Sequence, residues 1–348
     1  MKILYGVQGT GNGHIARARA MSNAFKQRHI EVDFLFSGRD AQHYFSMECF
    51  GHYQTRHGLT FISQRGKVSY LKTLCANRLG RYYQEVTNLD LSGYDLVIND
   101  FEPVTAWAAK QQGITSISLS HQNAFRYSVP IKGASWLDKS IMQHFSPANY
   151  YLALHWYHFN QPILPPIIHS SNQSITNQGF ILVYLPFEDL DQVCELLTRF
   201  THQSFICYHP AIEQSLPVDN LHLKPLSHQS FQIDLHRCSG VIANGGFELP
   251  SEALSLGKKL LLKPLIGQFE QQSNVATLEL LGLAASMNSL DAFVISEWLN
   301  EQDIERVYYP DVAGAIVDWL LNGNWACHSE LSQQLWKQVD FPNYAALN

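Results

Sequence analysis

The chain has 348 residues, 46% of them hydrophobic and 12% aromatic, with charged side chains at 16% and a formal net charge of -6. That length exceeds what one hydrophobic core usually organises, and the composition excludes a disordered chain. A pI of about 6.2 supplies no basic stripe for a phosphate backbone, so nucleic acid is not an expected partner.

The opening segment from Lys2 to Val7 predicts a buried strand, and Ile15 to Gln27 a helix with alanines and large apolar residues on one side. Val32 to Ser37 predicts a second strand, with a further helical stretch after Gly38-Arg39-Asp40. Asp95 to Asn99 predicts a third strand, Val104 to Gln111 a helix, and Thr115 to Ser120 a fourth strand. This alternation implies a parallel sheet covered by helices on both faces, whose ligands bind at the carboxyl ends of the strands.

Residues 160–179 are rich in Pro, Asn, Gln and Ser and lack either periodicity, which marks a linker. The rhythm then restarts, with strands expected at Phe180 to Leu185, Ser204 to Tyr208, Gly240 to Ala243 and Lys259 to Lys263. Helices are expected at Leu190 to Phe200 and Glu248 to Leu256, and a helical tail at Asp311 to Gln338. The expected fold class is therefore α/β, with two doubly wound parallel-sheet lobes facing a cleft. Their spans are 1–160 and 180–324, joined by 161–179, with a tail at 325–348 that packs back on the first lobe. The six cysteines (Cys49, Cys75, Cys194, Cys207, Cys238, Cys327) show no CxxC spacing and read as reduced and structural. With neither a signal-peptide pattern nor a long apolar run, a cytoplasmic protein is expected, with peripheral membrane contact left open.

The residues after the first strand are Gly9-Thr10-Gly11-Asn12-Gly13-His14. Glycine suits a positive φ or the close approach of a ligand, and a strand-to-helix turn offers free N–H groups. A dinucleotide fingerprint would need a later glycine and an acidic end to the second strand; here those places hold His14-Ile15-Ala16 and Ser37-Gly38-Arg39. His14, in the first turn of a helix, instead suits a neutral general base, although a plain helix-start histidine is an equal reading on this evidence alone. Asp100 follows the third strand on the same sheet edge and could orient that imidazole; its ordinary alternative is an N-cap, and Glu102 is the competing carboxylate.

In the second lobe, Ala243 to Asn274 reads as a strand ending in Gly245-Gly246, a helix start aimed at the cleft, a further strand, and a polar loop. Such a helix start can hold a pyrophosphate, and Glu252 could accept two ribose hydroxyls. In these residues, and along nearly its whole length, the chain resembles the two-lobed GT-B glycosyltransferases. It is similar to the UDP-N-acetylglucosamine transferase of peptidoglycan synthesis, to UDP-glycosyltransferases, and to a microbial group sharing the GTGNGH opening and the NGGF loop.

The resemblance implies a donor site at Asn244, Gly245, Gly246, Phe247, Glu252, Glu270, Gln271 and Asn274. It implies an acceptor side at Gly11, Asn12, Gly13, His121, Gln122 and Asn123, and a His14–Asp100 catalytic dyad. Where plant-type members carry a His and an Asn-Ser pair in the nucleotide loop, this chain has Asn244, Glu248 and Leu249, so a diphosphate would have to rely on backbone amides.

Asp189-Leu190-Asp191 reads as a helix start rather than a metal motif, and no histidine spacing implies a metal. His209 reads equally as a phosphate contact or a loop histidine. The run ANYYLALHWYHF reads as a buried strand sooner than a lipid contact. The expectation is a metal-independent, inverting transferase that needs no cofactor and moves a sugar from a nucleoside diphosphate, UDP foremost, to a small-molecule, glycan or lipid-linked acceptor. An epimerase or hydrolase on nucleotide sugars, or a non-catalytic nucleotide-sugar binder, is the alternative.

Overall fold

The computed structural model describes residues 1–60, 63–64, 67–68, 78–169, 173–302 and 304–347; Cys75 and linker residues 170–172 lie outside them. The first lobe is built on β1 (Ile3–Gln8), β2 (Val32–Ser37), β3 (Tyr53–Thr55), β4 (Leu96–Asp100), β5 (Ser116–Ser120) and β6 (Tyr150–Ala153). They lie in the order β3-β2-β1-β4-β5-β6, and every pairing is parallel. β1, β4 and β5 are buried along their whole length, as a parallel sheet covered on both faces requires. The covering helices are α1 (Asn12–Gln27), α2 (Leu79–Thr87), α3 (Pro103–Gln112) and α4 (Trp136–His144).

The second lobe repeats the plan. Its strands are β7 (Ile181–Tyr184), β8 (Phe205–Tyr208), β9 (Leu216–Val218), β10 (Leu221–Lys224), β11 (Gly240–Asn244), β12 (Lys259–Lys263) and β13 (Ala285–Ser286). The order is β9-β10-β8-β7-β11-β12-β13, with only the edge strand β9 antiparallel. Its helices are α5 (Leu190–Leu197), α6 (His228–Arg237), α7 (Glu248–Ser255), α8 (Phe269–Leu280) and α9 (Ala292–Asn300). In each sheet the strand order reverses at one point, between β1 and β4 and between β7 and β11, and crevices open at the carboxyl ends there.

The segment expected to be helical after Asp40 forms only 3-10 turns at Ala41–His43 and Glu48–Phe50. Ser46 and Gly51 adopt φ of 53° and 62°, which interrupts a helix, and Phe50 instead plugs the core against Phe34 and Phe36, 4.9 Å from each ring. The aromatic run is a strand only over Tyr150–Ala153; Trp156 then buries fully and donates its indole N–H to Ser251 Oγ at 2.8 Å, across to the second lobe.

The linker is packed rather than coiled: Ile163, Leu164 and Ile167 are buried, and the Thr176 and Gln178 amides donate to His236 and Arg237 carbonyls. The tail breaks at Gly323 (φ 70°) into α10 (Val312–Asn322) and α11 (Ser329–Trp336). Asp318 of α10 pairs with Arg28, the residue that follows α1, and Ser332 and Trp336 of α11 both donate to the Ile163 carbonyl. Among the described residues, no helix is long and apolar enough to cross a membrane.

Candidate active site

At the reversal point of the first sheet, Val7 of β1 lies beside Asp100 of β4. α1 starts four residues past β1, so its first turn stands over the end of β4. His14 Nδ1 lies 2.8 Å from Asp100 Oδ1. The carboxylate only accepts, so Nδ1 carries the proton, and in the neutral ring Nε2 is left with its lone pair.

None of Gly9, Gly11 and Gly13 has a positive φ, so backbone freedom does not explain them, and at Gly9 and Gly13 the reason is space. A Cβ on Gly9 would sit 2.3 Å from Tyr44 Oη and 2.8 Å from the Ser37 carbonyl oxygen, and one on Gly13 would sit 3.2 Å from Glu248 Cγ of the facing lobe. Gly11, by contrast, faces open space and caps α1 in an extended conformation.

The two competing carboxylates separate completely. Phe101 between them adopts φ 52°, a left-handed turn that aims Asp100 at His14 and Glu102 the other way. Glu102 is the N-cap of α3: it accepts from the Val104 and Thr105 amides at 2.8 and 2.7 Å and from the Thr105 and Ser37 hydroxyls.

Asp100 is fully buried with a partner that sequence reading missed, Arg17, whose Nε and Nη2 donate to its two oxygens at 2.7 and 2.9 Å. Although desolvation opposes them, Arg17 and His14 hold the Asp100 carboxyl below its ordinary range. Arg17 Nη1 also donates to Glu248 Oε1, the first residue of α7 in the second lobe. The signal for Arg17 was present: an arginine three residues after His14, within a helix whose alanines demand burial.

Between the lobes lies a cavity of about 620 Å³ including its mouth, lined on one side by Asn12, Gly13, Ala16 and Arg19 of α1. On the other side stand Tyr184, Tyr208, Phe231, Glu248 and Glu252. His14 is not a lining residue; it sits on the adjoining face of α1 with 15% of its side chain exposed, and Glu248 occupies the junction between cavity and dyad. Glu252 accepts from Gln232 Nε2 at 2.9 Å, and burial pushes its carboxyl above the usual range. Among the described residues no side chain caps the N-terminus of α7, so its leading N–H groups lack that partner. Tyr184, Tyr208 and Phe231, unremarked in the sequence, form an aromatic wall with Phe231 5.4 and 5.1 Å from the two tyrosine rings.

Several expected ligand-binding residues are occupied with packing. His121 is fully buried, with Nδ1 at 2.9 Å from the Leu154 carbonyl oxygen and Nε2 at 2.7 Å from Asn274 Oδ1. Both partners are acceptors, which favours the charged ring, but burial outweighs them and pushes its pKa down to about 4. Asn274 donates to the Gly245 carbonyl, Gln122 to Glu270, and Asn123 to the Ser118 and Leu152 carbonyls.

Gln271 accepts from the Leu265 amide and Asn244 donates to the Lys263 carbonyl. The stretch expected as a polar loop is the start of α8, which carries Glu270, Gln271 and Asn274. Gly245 is closed in, its missing Cβ 2.8 Å from the Gln271 carbonyl oxygen, while Gly246 faces open space. Asn12 reaches the second lobe by donating to Tyr184 Oη at 3.1 Å. His209 is a loop staple, accepting from the Ala211 amide and donating to the Glu188 carbonyl; Asp189 caps α5.

The same two-lobed architecture recurs among solved structures. The Streptomyces sp. SF2575 glycosyltransferase SsfS6, complexed with thymidine diphosphate, superposes with a TM-score of 0.59 at 12% identity, covering 97% of this chain and 99% of that one. SnogD from Streptomyces nogalater gives 0.51 at 14%, covering 97% and 99%. The spinosyn rhamnosyltransferase SpnG, complexed with spinosyn aglycone, gives 0.52 at 13%, covering 97% and 100%. No curated protein sequence matches the chain. The family model for glycosyl transferase family 1 matches residues 1–302, so the chain belongs to that family and is a glycosyltransferase of the GT-B fold.

Proposed function

We propose that the protein transfers a sugar from a nucleoside diphosphate, with UDP the first candidate, to an acceptor hydroxyl or amine, inverting the anomeric carbon. The observation that carries this reading is the 2.8 Å His14–Asp100 pair standing beside a cavity whose far wall holds Glu252 and the uncapped N-terminus of α7. His14 Nε2 takes the acceptor proton as the acceptor attacks the anomeric carbon from the side opposite the leaving group. The bond from that carbon to the phosphate oxygen breaks, and its electron pair leaves with the diphosphate. Main-chain N–H groups of α7 meet the new charge, so the scheme assigns no step to a metal. Glu252 accepts from the ribose hydroxyls. The thymidine diphosphate of the SsfS6 complex makes dTDP-sugars the second candidate, and the aglycone of the SpnG complex suggests a small lipophilic acceptor. Dependence on a nucleotide sugar supports a cytoplasmic location.

Thermal-shift screening of UDP-, GDP- and dTDP-sugars identifies the donor, because a ligand that binds the native state raises its melting temperature. Product analysis with that donor then distinguishes transfer from epimerisation or hydrolysis, both of which proceed without acceptor. His14→Ala is expected to abolish transfer while leaving donor binding in place; a His14→Ala enzyme with full transfer activity would remove the base assignment.

A further inference from the structure

Arg17 stands three residues after His14, so one face of α1 presents both side chains to Asp100. Only 2% of its side chain is exposed, and each of its three nitrogens meets a carboxylate: Nε and Nη2 donate to the two Asp100 oxygens, Nη1 to Glu248. Nη2 also lies 3.1 Å from His14 Nδ1, a contact rather than a hydrogen bond because that nitrogen already carries the proton given to Asp100. Apolar replacements of buried ion clusters are often as stable as the originals, so stability alone does not call for this arrangement. What a planar guanidinium supplies is fixed geometry, since its fork holds a carboxylate in one plane.

We infer that Arg17 is a positioning residue: it fixes the Asp100 carboxylate against His14 and, through Glu248, holds the donor-facing helix α7 in register with the base. The inference rests on the reading of His14 as the base.

The groups around Glu248 set how this linkage responds to pH. Arg17 and Asp100 face it from α1 and β4, Glu252 lies one turn along α7, and the buried Tyr5 hydroxyl lies behind the cluster on β1. One arginine between two buried carboxylates leaves surplus negative charge if both ionise. Burial pushes the Glu248 carboxyl up to about 8, with Asp100 adding to it and Arg17 opposing. Near neutral pH Glu248 therefore keeps its proton, and Arg17 commits its charge to Asp100. Above that pH an ionised Glu248 competes with Asp100 for the guanidinium.

The test compares full-length wild type, Arg17→Met, Arg17→Lys and Glu248→Gln, using the nucleotide sugar selected by the transfer assay and UDP and dTDP alone as binding probes. Arg17→Met is expected to lose roughly 10–100-fold in kcat with the donor KM and nucleotide Kd within about threefold of wild type. Arg17→Lys, which keeps the charge but not the fork, recovers part of that loss. Wild type is expected to lose kcat above about pH 8, and Glu248→Gln to lack that fall. Independently of donor, NMR of isotope-labelled histidine should show His14 fixed as the Nδ1–H tautomer in wild type and averaging between tautomers in Arg17→Met. A residue that merely supported the fold would lower the melting temperature and change neither the pH profile nor the tautomer.

Wild-type kcat and a fixed tautomer in Arg17→Met overturn the inference. If that variant does not fold, an unchanged alkaline limb in Glu248→Gln overturns it. Inactive His14→Ala beside wild-type behaviour in the Arg17 and Glu248 variants defeats this inference alone, whereas active His14→Ala defeats the base reading itself.

Discussion

The His121 imidazole lies flat on the Phe247 ring across the junction of the lobes, 4.0 Å between centroids and 7° from parallel. Trp156 closes on the same phenylalanine at 4.7 Å, and Phe247 is 6% exposed. These rings make the junction a small apolar core, so Phe247→Ala is expected to cost about 3–5 kcal/mol of stability. Chemical denaturation checks this. Phe247→Leu should recover most of the loss, and an alanine variant as stable as wild type would show that the stack contributes nothing.

Asp100 and Glu102 predict opposite phenotypes from the same kind of change. Asp100→Asn cannot hold the His14 proton as a carboxylate does, and it strips Arg17 of its main partner; transfer per folded molecule should fall by roughly 10²–10⁴. Glu102→Ala removes an N-cap with several buried hydrogen bonds, costing about 2 kcal/mol or more, yet should leave the rate per folded molecule near wild type. Steady-state kinetics beside melting curves separate the two, and a reversed pattern would make Glu102 the orienting carboxylate.

Much of this was legible in the sequence because the signals were local. Strand β2 and strand β12 fall on the expected residues, since continuous apolar runs bounded by turn residues leave little choice. The His14–Asp100 encounter was legible too, because residues that follow the strands of a parallel sheet collect on one edge. The rest depended on contacts with no local trace. That Asp100 and not Glu102 turns to His14 is decided by the left-handed Phe101, a residue type that rarely takes that conformation. Arg17 left a local signal one turn after His14, but its link to Glu248, 231 positions away, left none. His121, Phe247 and Asn274 carry motif-like residue types, but their partners across the junction give them packing work that no spacing announces.

The paired glycines ahead of α7 should respond unequally to alanine. At Gly245 the added methyl would meet the Gln271 carbonyl oxygen at 2.8 Å, in a backbone that cannot swing aside, so Gly245→Ala should destabilise the second lobe by about 1–3 kcal/mol. At Gly246 the methyl would enter open space, so the fold should tolerate it. If a diphosphate approaches this turn closely, however, Gly246→Ala should weaken binding of UDP or dTDP by about tenfold or more with the melting temperature of the free protein unchanged. Isothermal titration checks this, and unaltered affinity would place the diphosphate elsewhere.

His155 offers a test of the junction through pH. It is fully buried, neither ring nitrogen has a hydrogen-bond partner among the described residues, and burial holds its pKa well below the ordinary value, with the neighbouring His121 adding to the effect. A histidine depressed in the folded state binds its proton more readily in the unfolded chain. Stability is therefore full above the unfolded pKa of about 6.5 and drains away as the pH falls below it. Leaving a ring N–H unpaired in that setting costs about 1–3 kcal/mol in addition. Phenylalanine fits a site already walled by Trp156 and Phe159, at 5.4 and 5.7 Å, and carries neither burden. His155→Phe is expected to raise the melting temperature at pH 7 and to reduce its decline between pH 6.5 and 4.5. Scanning calorimetry across that range reads both effects, and a variant that melts lower than wild type at every pH would mean that the imidazole has a polar partner in solution.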